Sequence, residues 1–290
     1  MLQKLKDDTL DQYKISLWVY RIDLIHPQVS GNKWYKLKYN LLEAQKQGHQ
    51  KLLTFGGAYS NHIYATAAAG KIQGIETIGV IRGEEHTPLN PTLQFAVDCG
   101  MHLHYMDRAT YREKKSPEVL NTLKQIFGSF YLVPEGGSNA LAVKGCTEIL
   151  PEVEESFDVV TTACGTGGTL AGLVAHLPAH QQVLGFPALK GGDFLYDDVE
   201  QLLTAYYTAF NLPRETTQNR YRLITDYHFG GYAKKKPELL AFIEHFTTQH
   251  QIPLEWIYTG KMFYGLYDLI KKNYFSPHTK ILALHTGGIR

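Results

Sequence analysis

Cysteine is scarce. Three residues, Cys99, Cys146 and Cys164, are spread over 290 positions, and no two stand at a Cys-x-x-Cys spacing. That excludes a disulfide framework and a thiolate zinc site, and a reducing cytoplasm is the expected compartment. An excess of one charge sign is also missing: 29 Lys and Arg against 28 Asp and Glu leave a net charge of +1. Composition therefore gives no general electrostatic case for nucleic acid or an anionic membrane as partner. The basic runs Lys114-Lys115 and Lys234-Lys235-Lys236 stand beside Pro or Glu and read as solvated surface. No apolar run approaches the roughly 18 residues of a membrane span. The start, Met-Leu-Gln-Lys-Leu-Lys-Asp-Asp, is too charged for a signal-peptide core. Internal repeats, low-complexity tracts and Pro-, Gly- or Ser-rich linkers are absent, so any two domains must be intimately joined. His102-x-His104 puts two histidines on one strand face without an apparent third ligand, so no metal is expected.

What is present is an ordinary globular balance, 44% hydrophobic and 20% charged, in a chain long enough for one large or two medium domains. Strand-like segments at 15–22, 51–55, 76–81, 101–105, 130–133, 158–162, 182–186 and 280–284 are short and rich in Val, Ile and Leu. Helical segments at 30–48, 59–73, 89–99, 116–127, 139–150, 168–176, 197–210, 237–249 and 264–272 alternate with them. That alternation predicts an α/β fold, with twisted parallel sheets covered by helices on both sides.

The helix from Ser30 to Gly48 organises the reading. Ser30 and Asn32 are candidate N-caps and Gly48 a natural stop. Lys33 shares a face with Leu37, Leu41 and Ala44, whereas Lys36 lines up with Asn40, Glu43 and Gln47 on what reads as a wet face. An amine on the apolar face is partly desolvated; its pKa falls and it becomes a candidate nucleophile or carbonyl partner. The alternative is a lysine that snorkels its charge to water.

Three strand ends carry glycine loops: Phe55-Gly56-Gly57-Ala58-Tyr59-Ser60-Asn61, Cys164-Gly165-Thr166-Gly167-Gly168-Thr169 and His285-Thr286-Gly287-Gly288. Such loops let backbone N–H groups approach a ligand, and a following helix N-terminus favours an anion; ordinary turns are the alternative. The 165–169 loop lacks the lysine of a Walker loop, and Leu170 stands where a dinucleotide fingerprint needs its third glycine. A cup of backbone donors and two hydroxyls suits one phosphate monoester better. A phosphate monoester together with a desolvated lysine suggests pyridoxal 5′-phosphate. Cys164 before the loop is read as a small buried residue.

Ser-Gly-Asn-Lys33 followed by Lys36-Leu37, Phe-Gly-Gly-x-x-Ser60-Asn61-His62, Gly165-Thr-Gly-Gly-Thr169, Tyr258-Thr259-Gly260-Lys261 and His285-Thr286-Gly287-Gly288 span nearly the whole chain. In this order they resemble the 1-aminocyclopropane-1-carboxylate deaminase and D-cysteine desulfhydrase family, pyridoxal-phosphate enzymes of the tryptophan-synthase-β fold type II. The resemblance implies a large cofactor-binding domain of residues 1–36 plus 146–290, a small inserted domain of 37–145, and a homodimer with one site per subunit. It implies that Lys33 holds the cofactor aldehyde and then serves as the base, and that Asn61 binds the ring's phenolic oxygen. Ser60 and nearby amides would hold the substrate carboxylate. Gly165, Thr166, Gly167, Gly168 and Thr169 would cradle the phosphate, with Thr286 near the pyridine nitrogen and Tyr232 and Tyr258 facing the substrate. Packing or capping is the alternative for each side chain.

The chain departs from the family in places. Thr259 stands where the deaminase branch has glutamate, as in the desulfhydrase branch. Tyr59 replaces the usual glutamine, Ile63-Tyr64 replaces a polar pair, and these changes are expected to face the substrate. The chain stops at Arg290, where relatives usually continue and supply wall residues. The expected function is a lyase or deaminase acting on a small amino acid, with D-cysteine β-elimination to pyruvate, ammonia and sulfide as the leading reading. A cyclopropane deaminase giving 2-oxobutanoate, or a pyridoxal-phosphate-binding module without turnover, are the alternatives.

Overall fold

The computed structural model describes residues 1–150, 156–178, 180–214 and 220–289. Arg290 lies outside them. Among the described residues ten strands are formed: β1 Leu2–Lys4, β2 Ser16–Tyr20, β3 Lys51–Gly56, β4 Glu76–Arg82, β5 His102–Met106, β6 Tyr131–Val133, β7 Val159–Cys164, β8 Gln182–Pro187, β9 Tyr221–Leu223 and β10 Lys280–Leu284. The α-helices are α1 Asp8–Gln12, α2 Asn32–Lys46, α3 Asn61–Gln73, α4 Pro91–Asp98, α5 Arg108–Arg112, α6 Pro117–Phe127, α7 Ala140–Cys146, α8 Gly168–His176, α9 Leu195–Ala209, α10 Pro237–His250 and α11 Thr259–Lys271.

Two sheets result, six strands in the order β1-β2-β10-β7-β8-β9 and four in the order β5-β4-β3-β6. All pairs are parallel except β1 on β2. The period of two along a strand sends alternate residues to opposite cores. Trp18 and Tyr20 pack with Leu170, Leu173 and Leu203 on one face of the larger sheet, while Leu17 and Val19 pack with Phe246, Phe263 and Leu266 on the other. The smaller sheet does the same, with Leu52 on the α2–α3 side and Leu53 and Phe55 against Tyr111 and Leu123.

Most elements stand where the pattern puts them, and the exceptions have physical causes. Helix α11 begins at Thr259 and not at 264. Its orphan N–H groups are met from upstream: the Glu255 carboxylate accepts from the backbone of Ile257, Tyr258 and Thr259 at 2.6–2.8 Å. His102 and His104 both meet the edge of Phe127, with ring centroids 5.4 Å away in each case. No described helix is long and apolar enough to cross a membrane.

Helix α2 is not capped by Ser30 or Asn32. Its N-cap is Gly31, without a side-chain bond. Gly31 has φ +65°, and a Cβ there would lie 1.9 Å from the Thr286 carbonyl oxygen. The Asn32 N–H donates to that same oxygen at 3.3 Å. The start of the lysine helix thus lies directly against the last glycine loop, a distance only glycine permits. Gly31→Ala is expected to cost at least ~1–2 kcal/mol from the dihedral alone, with the clash added. The midpoint of a urea transition measures it, and an unchanged midpoint would contradict the contact.

Candidate active site

The first turn of α2, the 165–169 loop, the N-terminus of α3 and the 285–288 loop converge. Lys33, Ser30, Asn61, Tyr64, Thr286 and Gly288 line one cavity. Lys33 is half-buried, and its Nζ lies 3.3 Å from Asn32 Oδ1. Asn32 Nδ2 in turn donates to Thr169 Oγ1 at 2.8 Å. Two hydrogen bonds therefore connect the lysine amine to the glycine loop, so one small molecule can reach both. Burial, followed by the nearby Lys36 charge, holds Lys33 well below the usual lysine pKa, against a weaker opposite pull from Cys146.

Lys36 is not on a wet face. It is 2% exposed, and its Nζ donates to the Gly136 carbonyl at 3.1 Å, Ser138 Oγ at 3.0 Å and Thr166 Oγ1 at 3.4 Å. Asn40, on the same face, is fully buried, donating to the Lys36 carbonyl and bonding Asn139. At Lys36 and Asn40 the face meets a polar segment, Pro134 to Asn139, while further along Glu43 is half-buried and Gln47 exposed to water. A Cβ on Gly168 would stand 2.9 Å from Lys36 Nζ and 2.7 Å from Ser138 Oγ. Gly167 adopts φ +75° as the N-cap of α8. The loop is thus a cradle with a cation at its side, hydroxyls from Thr166 and Ser138 at its edge and a helix N-terminus beneath it. That set of donors fits a phosphate monoester. Lys36 and the Pro-Glu-Gly-Gly-Ser segment escaped the sequence reading. Two signals were available: the i, i+3 spacing from Lys33, and a fourth Gly-Gly pair at a strand end.

Ser60 caps α3, its Oγ accepting from the N–H groups of His62 and Ile63. Asn61 opens that helix, and its Nδ2 would lie 2.6 Å from a Cβ on Gly288. His62 is 2% exposed, with Nε2 2.7 Å from Thr54 Oγ1. Because that hydroxyl donates to the Val133 carbonyl, the hydrogen-bond pattern assigns the proton to Nε2. Burial, then Lys33 and Lys36, push the His62 pKa far down, so the ring is neutral.

Tyr232 and Tyr258 meet edge to face, centroids 6.0 Å apart, and hydrogen-bond each other. A Cβ on Gly165 would be 3.2 Å from the Tyr258 hydroxyl oxygen, so this pair stands over the glycine loop. Burial, then Tyr232, keep Tyr258 protonated far above the usual phenol range. Behind them Glu135 accepts from the Tyr111 hydroxyl at 2.9 Å and pairs with Lys114 at 3.1 Å.

One further expectation needs correction. Ile63 does not face a substrate: it is fully buried against Ala96 and Met101. Tyr59 is 51% exposed. Tyr64 does line the Lys33 cavity, stacked on Phe95 at 3.7 Å. Cys164 is 2% exposed with its thiol pushed up to about 12 by burial, which makes it inert.

Comparison with known proteins agrees with this geometry. The profile of the pyridoxal-phosphate dependent enzyme family matches residues 7–287. A putative 1-aminocyclopropane-1-carboxylate deaminase of Pyrococcus horikoshii is 31% identical, with 94% of this chain and 84% of that protein covered. The bifunctional D-cysteine desulfhydrase/1-aminocyclopropane-1-carboxylate deaminase of Arabidopsis thaliana, a mitochondrial protein, is also 31% identical, over 94% of this chain and 72% of its own. The solved structure of an ACC deaminase homologue superimposes with a TM-score of 0.87 at 30% identity, covering 100% of this chain and 89% of that one. The chain belongs to the pyridoxal-phosphate dependent enzymes, fold type II, in the 1-aminocyclopropane-1-carboxylate deaminase and D-cysteine desulfhydrase family.

Proposed function

We propose that this enzyme eliminates a β-substituent from a small D-amino acid, with D-cysteine giving pyruvate, ammonia and sulfide. The observation that carries this reading is Thr259. It is fully buried, and its hydroxyl is held by Glu255, 3.2 Å from Oε1. Residue 259 itself brings no carboxylate to a pyridine nitrogen, the neighbouring Glu255 carboxylate is taken up by the backbone N–H groups of Ile257, Tyr258 and Thr259, and Thr286 would supply a neutral hydroxyl. A neutral ring is a weaker electron sink, which suits loss of a good leaving group better than opening of a cyclopropane.

The residues take the following roles. Lys36, Gly165, Thr166, Gly167, Gly168 and Thr169 hold the cofactor phosphate. Asn61 and Thr286 would fix the ring, and Lys33 would hold the aldehyde. When bound, the cofactor withdraws electrons from the substrate Cα. Ser60 and the neighbouring amides orient the substrate carboxylate. Lys33, its pKa lowered by burial and by Lys36, would accept the Cα proton once the substrate amine has taken its place at the aldehyde. Tyr258, kept as a phenol, presents a proton-bearing oxygen on the substrate side with Tyr232. We assign residues 1–36 with 146–290 to the large unit and 37–145 to the small one. Tyr35 packing in the larger core and Leu37 in the smaller favour a junction within α2.

The test is turnover of D-cysteine and of 1-aminocyclopropane-1-carboxylate by the cofactor-loaded enzyme. Pyruvate from the first at the higher kcat/KM is expected. 2-Oxobutanoate from the second as the faster reaction would reverse the order. Bound cofactor with no product from a panel of D- and L-amino acids would leave a binding module.

Lys33 gives a pH prediction. Its folded pKa is lowered, so the free amine predominates from a lower pH than in an exposed lysine. The rate of cofactor attachment to the apoprotein should therefore rise with pH and level off well below ~10.4, the ordinary lysine value. Stopped-flow absorbance measures it. A rate still climbing at the ordinary value would refute the desolvated amine.

A further inference from the structure

Lys261 stands in the first turn of α11, three residues after Tyr258, and is 2% exposed. Its Nζ donates to the carbonyls of Gly231 at 2.8 Å, His228 at 2.9 Å and Ala188 at 3.3 Å. An ammonium has three donors and no acceptor, so three carbonyls use it fully. They come from two segments, the exit of β8 and the loop that ends at Tyr232. Within that loop Phe229, Gly230 and Gly231 all have positive φ, at 54°, 97° and 122°. This winding is what turns the His228 and Gly231 carbonyls to one point.

Three carbonyl dipoles aimed at one buried point repel one another unless a cation sits there. Burial lowers the Lys261 pKa to about 8, which leaves it an ammonium at neutral pH, and Glu255, which pulls the other way, is engaged by the backbone of Ile257, Tyr258 and Thr259. The cage is therefore neutral oxygen around a single charge. Small divalent ions need carboxylates or retained water, and softer metals need nitrogen or sulfur. Neutral carbonyls at about 3 Å suit a large monovalent ion.

We propose that the Lys261 ammonium is a tethered monovalent cation that fixes the 228–231 loop on α11, so that Tyr232 is held against Tyr258. Lys261 is then a positioning residue, and the enzyme needs no dissolved ion at this place. Deleting the ammonium leaves a cage that K⁺ or NH₄⁺ fills. The effect on substrate rests on the roles given to the two tyrosines above; the cage itself does not.

The test uses cofactor-loaded wild type, Lys261→Met and Lys261→Ala in choline, lithium and potassium chloride at equal ionic strength. The wild-type melting temperature should be the same in all three. Both variants should melt lower in choline, recover in K⁺ or NH₄⁺, and recover less in Li⁺. Their KM for the turned-over amino acid should rise on the order of tenfold in choline, the loss of one charged hydrogen bond, and fall again with K⁺ while kcat changes less. Variants indifferent to the ion, or a wild type as responsive as they are, would overturn the proposal. If neither variant folds, native wild type is treated with acetic anhydride and read by mass spectrometry. Lys261 should resist while exposed lysines react, and its acetylation at their rate would equally overturn it. Melting and acetylation need no substrate, so a failure of the D-cysteine reading leaves these outcomes intact.

Discussion

Lys33→Ala should abolish turnover, lowering kcat/KM by about a thousandfold or more, since it removes both the covalent anchor and the base. It should not cost stability. The Lys33 amine is desolvated and repelled by Lys36, so its removal relieves a like-charge contact. The cofactor should still bind, because the glycine cradle and Lys36 are untouched, but without a covalent link. Borohydride reduction followed by peptide mass spectrometry reads this directly: the cofactor mass on residues 32–46 in the wild type, and none in the variant. A variant that retains the covalent label, or half the activity, would remove Lys33 from the chemistry.

The second large effect belongs to Lys36→Met, which keeps the apolar stem and deletes the charge. Removing one partner of a buried, hydrogen-bonded charge pair costs about 2–5 kcal/mol, roughly thirtyfold to a few thousandfold in cofactor dissociation constant. The change should be specific in kind. Pyridoxal without its phosphate should bind the variant and the wild type alike, while pyridoxal phosphate should lose affinity. A second consequence follows from the same charge. Lys36 helps to hold the Lys33 pKa down, so in the variant the pH at which cofactor attachment levels off should move upward. Equal losses for both cofactor forms, or an unmoved pH profile, would separate Lys36 from the phosphate.

These two lysines also mark how far the sequence was legible. Periodicity placed α8 at 168–176 and β10 at 280–284, where a strong apolar pattern and glycine boundaries leave little choice. It missed β1 and β9, three residues each, while β6, equally short, was found because Pro134 marks its end. Among side chains, Lys33 was legible because its environment is made by its own helix. Lys36 was misread because its environment is made by residues about a hundred positions away, Gly136, Ser138 and Thr166. Neighbour spacing describes one helix surface and says nothing about whether water or another polar segment covers it. Ile63 failed for the same reason in the opposite direction: its place in the family motif suggested a substrate contact, whereas its side chain fills the small core. The 165–169 loop does make the close approach its glycines suggested at Gly168, whereas the tight contact at Gly31 went unread, its place given to Ser30 and Asn32 as caps.

The middle of the larger sheet is closed by its final strand, β10, between β2 and β7. During synthesis, then, the N-terminal hairpin and the helix with the reactive amine emerge long before the backbone they lean on. The four-stranded unit has all its pairs within 51–133 and is free to fold as it leaves the ribosome, while the larger one waits for β10. The nascent polypeptide therefore cannot bring the first turn of α2 against the 285–288 loop before β10 has been made and paired.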